Sequence, residues 1–169
     1  EIVYSFEETG DEDEDGNAVK QKVKLGAGAM GEVFKGTYRS EEVAVKVVKF
    51  ANVTRDQAFF LAEVNTLYRL RHPHIATFYG ATITERKVMK NVVRSGMLGM
   101  QLLKYSLHTA IHDPASVQGV LPLTTTPQKL HVLQQVVAGM VYLHTTKPKV
   151  VHCDLKPENI MVRDGGFFP

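Results

Sequence analysis

The chain changes its hydrophobic period along its length, and this limits it to folds in which a small antiparallel sheet is followed mainly by helices. Val43, Val45 and Val47 alternate with Ala44, Lys46 and Val48 at the two-residue period of a strand. Val23 and Leu25 alternate with lysines, a glycine cluster follows, and Val33 and Phe34 resume the pattern, so residues 19–50 predict three antiparallel strands. From Thr54 the period lengthens. Phe60, Val64, Leu67 and Leu70 recur at helical intervals, and Thr54 with Gln57 has the spacing of a capping box. Pro73 disfavours helical geometry in the residue before it, so this helix should stop near Arg71. Thr77–Ile83 and Met97–Leu103 return to strand character, and the basic, poorly patterned Glu85–Gly96 between them predicts a loop. Ser106–Asp113 predicts a short helix, and Pro114–Thr126 a loop. Pro127 opens a long helix running to about Thr145, with Leu130, Leu133, Val137, Met140 and Val141 on one stripe. The fold class is α+β.

With 169 residues, 44% of them hydrophobic, the chain can bury one soluble core. No apolar run approaches the ~18 residues of a membrane helix, and Glu1, Ile2 and Val3 do not begin a targeting leader. The first residue is not Met, so the natural protein is expected to extend upstream. Cys153 is the only cysteine; an internal disulfide is impossible, and a reducing, cytoplasmic location is the default expectation. Eight of the 18 acidic residues lie within residues 1–16, whereas residues 17–169 hold 20 basic residues against 10 acidic ones. A basic body fits nucleic acid, an anionic membrane or a phosphate-bearing ligand. Nucleic acid is disfavoured, because no aromatic-interleaved basic motif is present. Asp11–Asp15 contains no apolar residue to bury and predicts a solvated tail or loop.

Three motifs carry chemistry. Gly26, Ala27, Gly28, Ala29, Met30, Gly31, Glu32 and Val33 fit G-x-G-x-x-G-x-V, in which glycines let backbone N–H groups approach phosphate oxygens. A dinucleotide-binding reading would need a helix after the last glycine, but Glu32–Tyr38 has strand character. On its own the glycine pattern could equally be a plain hairpin turn. Val43-Ala44-Val45-Lys46 fits V-A-I-K on the next strand and offers an ammonium for α- and β-phosphates, and Glu63 lies 17 residues on, in the predicted helix, as its partner. His152-Cys153-Asp154-Leu155-Lys156-Pro157-Glu158-Asn159 fits H-R-D-L-x-x-x-N with Cys153 in place of Arg. In this motif Asp154 would accept the proton of an attacking hydroxyl, Lys156 would sit near the transferred phosphoryl, and Asn159 would ligate a metal ion.

Together, in this order, the motifs resemble the eukaryotic protein kinase domain, in particular the tyrosine-kinase-like group of serine/threonine kinases, over roughly Val23–Val162. His72-Pro73-His74-Ile75 resembles the turn after that family's regulatory helix, and Tyr142-Leu143-His144 the end of its long helix. The resemblance implies an antiparallel-sheet N-lobe with one regulatory helix and an incomplete, mainly helical C-lobe. It implies ATP and Mg²⁺ as cofactors, a protein Ser/Thr hydroxyl as acceptor, and serine/threonine preference from Lys156-Pro157-Glu158. It also implies that Leu25 and the glycine turn contact the nucleotide. Val33 and Ala44 would form the roof over adenine and Met161 its floor. Met100 would be the gatekeeper, Gln101–Leu103 the hinge, and Leu67 a spine residue beside Glu63. The expected organisation is an acidic segment 1–18, an N-lobe 19–103 and a partial C-lobe 104–169.

The sequence departs from that family in two places. Cys153 removes the arginine that grips a phosphorylated activation loop. The family's metal-binding Asp-Phe-Gly follows its loop asparagine by about a dozen residues, whereas Pro169 comes ten residues after Asn159 and Asp164-Gly165-Gly166 reads as a hairpin turn. A truncated domain, inactive by itself, is therefore expected. The alternative is a non-catalytic nucleotide-binding pseudokinase or scaffold. Elsewhere, His108 and His112 predict a surface pair, Lys87, Lys90 and Arg94 a solvated basic loop, and most methionines core filling.

Overall fold

The computed structural model of the chain describes residues 2–4, 6–12, 18–28, 31–88, 91–116 and 123–162, which fall into two units. One comprises Glu1–Arg69 with Thr77–Leu102, the other Leu70–Ala76 with Leu103–Pro169.

The first unit is built on alternation. Its strands are β1 (Ile2–Tyr4), β2 (Phe6–Glu12), β3 (Ala18–Lys22), β4 (Lys24–Gly28), β5 (Gly31–Tyr38), β6 (Glu41–Lys49), β7 (Phe78–Val88) and β8 (Asn91–Gln101), with helix α1 (Val53–Arg69) after β6. An antiparallel sheet runs in the order β1-β5-β6-β8-β7, with β4 also on β5, while β2 and β3 pair separately. Opposed residues share a face. Val33 opposes Lys46, Lys46 opposes Leu98 and Ala44 opposes Met100, so these five face one way. Against that face α1 builds a core of Phe50, Phe60, Phe78 and Leu98 with Val64, Leu67 and Met100 around it. The opposite face buries Val43 and Val45 completely, together with Met97, under Ile2, Tyr4 and Tyr38.

Five expectations are corrected in this unit, the first being the three strands expected over residues 19–50, where β3, β4, β5 and β6 make four. Helix α1 is capped by Asn52 rather than Thr54: its side-chain oxygen accepts the Arg55 N–H at 3.0 Å, and Asp56, not Gln57, accepts the Asn52 N–H at 2.8 Å. Asn is the stronger cap, and an acid in the first turn suits the helix dipole. Of the loop expected over Glu85–Gly96, residues 85–88 and 91–96 are instead arms of a long hairpin, β7 and β8, where Glu85 opposes Arg94 and the two ion-pair at 2.5 Å. Lys87 and Arg94 are thus strand residues; Lys90 lies outside the described residues. Asp11 and Glu12 belong to strand β2 rather than to the loop expected over the acidic run, and Asp13–Asp15 lie outside the described residues. Strand β1 was not foreseen, because three residues are too few to show a period.

The second unit holds β9 (Tyr105–Ser106), α2 (Leu107–His112), α3 (Thr126–Thr145) and β10 (Met161–Val162), with 3₁₀ turns at Pro114–Ser116 and Pro157–Asn159. Strand β10 pairs with β9, Met161 opposite Ser106, and the core gathers Tyr105, Leu107, Ala110, Val132 and Val162. Thr125 and Gln128 form a capping box at the start of α3. The His72–Ile75 turn is fixed to α3: the His72 ring stacks on Tyr142 at 4.9 Å, and the Tyr142 hydroxyl accepts the Arg71 N–H at 2.7 Å. The inward side of α3 is Val132, Gly139 and Leu143, while Leu130, Leu133, Val137 and Val141 of the predicted stripe are more than half exposed. Met140 turns off that stripe and is half-buried. No helix among the described residues is long and apolar enough to cross a membrane.

Candidate functional site

In the first unit the glycine turn is the end of a β-hairpin. Strands β4 and β5 pair up to Gly28 opposite Gly31, and a strand, not a helix, follows, as the sequence predicted. Gly31 has φ +125°, and a Cβ there would lie 2.2 Å from the Val47 carbonyl oxygen, so only glycine fits. A Cβ at Gly26 would meet nothing within 4 Å, which leaves that backbone open to a ligand. Leu25, Gly26 and Ala27 are exposed. Ala29 and Met30 lie outside the described residues. Glu32 is tied to Lys24 at 2.8 Å, and that lysine holds its carboxyl below the usual range.

Behind the turn, the strand period places Lys46 on the α1 face. Its Nζ lies 2.9 Å from Glu63 Oε1, one helical turn before Leu67. Lys46 is mostly shielded and Glu63 partly so, at 25% and 42% exposure. Val33, Ala44 and Met100 share the face with Lys46. Gln101 ends β8, its N–H donating to the Thr77 carbonyl at 2.8 Å, and its side-chain oxygen accepts the Thr77 N–H at 3.3 Å. The predicted hinge straddles the division between units, with Gln101 in the first and Leu103 in the second.

In the second unit Asp154, Lys156 and Asn159 converge on one loop. The Asn159 amide nitrogen donates to both the backbone oxygen and Oδ2 of Asp154 at 2.8 Å, and Lys156 Nζ lies 3.1 Å from Oδ2. The local chain folds this way because Pro157 starts a 3₁₀ turn, closed by Asn159 N–H to Lys156 O at 2.9 Å, which brings Asn159 back onto the aspartate. Cys153 sits at φ 63°, a left-handed bend directly before Asp154, and His152 Nδ1 accepts the Asp154 N–H at 3.3 Å. The Lys156 ammonium, then the Asn159 amide, hold the Asp154 carboxyl below the usual carboxylate range. Asn159 gives its nitrogen to Asp154, so its amide oxygen remains for a hard cation, a donor type Mg²⁺ accepts. Among the described residues no three His, Cys, Asp or Glu gather to hold a metal ion. Met161 stands exposed in β10 beyond this loop.

One neighbour was missed. Glu158 lies 3.4 Å from His108 Nδ1, and the His108 and His112 rings are 4.5 Å apart; nothing in the spacing of a helix pair and a distant loop joins these residues.

A family model described as protein tyrosine and serine/threonine kinase matches residues 19–168. The chain belongs to this kinase family. Its α+β architecture, an antiparallel sheet with one helix followed by a mainly helical unit, is a kinase-like fold. Among curated relatives it is 29% identical over 150 residues to "Stress-activated protein kinase alpha" of Dictyostelium discoideum, covering 88% of this chain and 21% of that protein. It is 28% identical over 165 residues to human "Mitogen-activated protein kinase kinase kinase 7", covering 97% and 24%. A third, "Probable serine/threonine-protein kinase drkA" of Dictyostelium discoideum, is 29% identical over 152 residues, covering 89% and 22%. The kinase domain sequence here thus spans less than a quarter of each of these relatives.

Proposed function

We propose that the chain is catalytic-domain sequence of a serine/threonine protein kinase that transfers the γ-phosphate of ATP to a protein hydroxyl. The observation that carries this reading is the convergence of Lys156 and Asn159 on the Asp154 carboxylate. Asp154, kept anionic, would orient the acceptor hydroxyl and take its proton. Lys156 would offset charge on the transferred phosphoryl group. On the first unit the glycine turn and Lys46, held in place by Glu63, would hold phosphate oxygens, with Leu25, Val33, Ala44, Met100 and Gln101 beside the base. Asn159 would help hold Mg²⁺, which would supply charge neutralisation to the phosphates. The serine/threonine preference is supported by Lys156-Pro157-Glu158 and by a relative whose name carries that specificity.

The domain organisation we propose is a nucleotide-holding N-lobe over residues 19–103 after an acidic segment 1–18, and catalytic-loop sequence within 104–169. Cys153 in place of arginine favours a kinase not gated by an arginine–phosphate contact, acting in the cytoplasm. The test is γ-phosphate transfer by the full-length protein to Ser/Thr substrates, with Asp154→Asn as control. Loss of transfer in the variant supports the reading. Nucleotide binding with no transfer by the wild type refutes it in favour of a scaffold.

A further inference from the structure

Strand β1 has no assigned part in phosphoryl transfer, and it precedes residue 19, where the family match begins. It lies antiparallel on β5, Ile2 opposite Tyr38 and Tyr4 opposite Gly36. Strand β4 occupies the same side of β5 further along, reaching from Lys24 opposite Phe34 to Gly28 opposite Gly31. Alternation puts Ile2, Tyr4 and Phe34 on the sheet face away from Val33, Ala44 and Lys46.

On that far face Tyr4 makes three contacts. Its ring meets Phe34 edge-on with centroids 5.8 Å apart, its hydroxyl donates to Met97 Sδ at 2.6 Å, and Lys22 Nζ sits 3.4 Å over its ring. These contacts tie together β3, β5 and β8, elements that backbone pairing alone does not join to β1 except at β5. Ile2 fits because residue 99 is glycine: a Cβ there would lie 2.8 Å from Ile2 Cδ1. Phe34 stands three residues after Gly31 and one after Val33, so whatever fixes Phe34 fixes the strand that carries the glycine turn.

We propose that Tyr4 is a positioning residue for the glycine-rich turn: β1 straps the far face of the sheet and, through Phe34, holds β5 and the turn at its start. Its consequence for nucleotide affinity rests on the kinase reading above; its consequence for the turn itself does not. A free N-terminal tail would leave the turn unaffected when cut back. A strap makes the turn's order depend on one aromatic ring at residue 4.

The test compares full-length wild type, Tyr4→Ala and Tyr4→Phe by amide hydrogen exchange and by MgATP affinity. Tyr4→Ala should speed exchange over residues 24–37 by about tenfold while leaving residues 105–162 unchanged, as expected for local rather than global opening. Its MgATP dissociation constant should rise by roughly fivefold, whereas Tyr4→Phe, which keeps the ring and loses only the bond to Met97, should stay within about twofold of wild type. Unchanged exchange over 24–37 in Tyr4→Ala overturns the proposal, as does a rise spread equally over both units. Faster local exchange with unaltered affinity in a wild type that binds MgATP also overturns it, since the turn would then not depend on the strap for its work. A wild type that binds no MgATP contradicts the kinase reading instead, and the exchange profile alone then decides for or against the strap.

Discussion

Lys46, Gly31 and Asp154 each have a role that one substitution can isolate. Lys46 faces Glu63 because the period of two that buries Val43 and Val45 on one side of β6 turns the lysine to the other. Lys46→Ala in the full-length protein should lower kcat/KM for phosphoryl transfer by about 10²-fold or more, the scale of losing one preorganised charge contact; unchanged turnover would refute the phosphate-holding role. Gly31→Ala combines a positive φ with a Cβ driven into the Val47 carbonyl, and should cost about 2–4 kcal/mol, read by denaturant unfolding. Asp154 has its carboxyl depressed by Lys156 and Asn159. A depressed acid stays anionic above its lowered pKa and becomes protonated only as pH falls through it. The acid limb of the pH–rate profile should therefore lie below the ordinary carboxylate range and move to higher pH in Lys156→Met. The Lys46 and Glu63 contact was legible in the sequence, since strand period and helix period together place both ends; the Glu158–His108 contact was not, since it depends on tertiary packing alone.

The elements themselves were legible to different degrees. Helix α3 begins within a residue of its predicted start because Thr125, Pro127 and Gln128 are strong local signals. Helix α1 was placed correctly but its cap was not, since Thr54 and Asn52 are both cap formers and only the fold chooses between them. Asn52→Ala should cost about 1 kcal/mol, and Phe60→Ala, which empties the centre of the α1 core, about 3–5 kcal/mol. A smaller effect of Phe60→Ala than of Asn52→Ala in thermal unfolding would contradict the packing described. The β7–β8 hairpin hid behind charge: Glu85, Arg86, Lys87 and Arg94 obscure a strand period, yet their backbones pair regularly from Ala81 to Val88.

For the molecule as a whole, the sequence carries two separable clusters, the glycine turn with its lysine, proposed to hold phosphate, on one unit and the Asp154 loop, proposed to activate a hydroxyl, on the other. A polypeptide of these 169 residues alone leaves Leu130, Leu133, Val137 and Val141 of α3 exposed, so it should associate at rising concentration in sedimentation experiments, and less so with Leu133→Lys. The order of the three motifs was the strongest signal of the whole fold, because each carries little alone and their succession matches one architecture. Asp154, with Lys156 and Asn159 on it, is proposed to drive transfer of phosphate to protein hydroxyls. The most direct measurement is the rate at which the full-length protein moves label from γ-labelled ATP to Ser or Thr, wild type against Asp154→Asn. Transfer by the wild type and a fall of about 10²-fold or more in the variant are expected; equal rates in the two, or a wild type that binds ATP and transfers nothing, would contradict this role of Asp154.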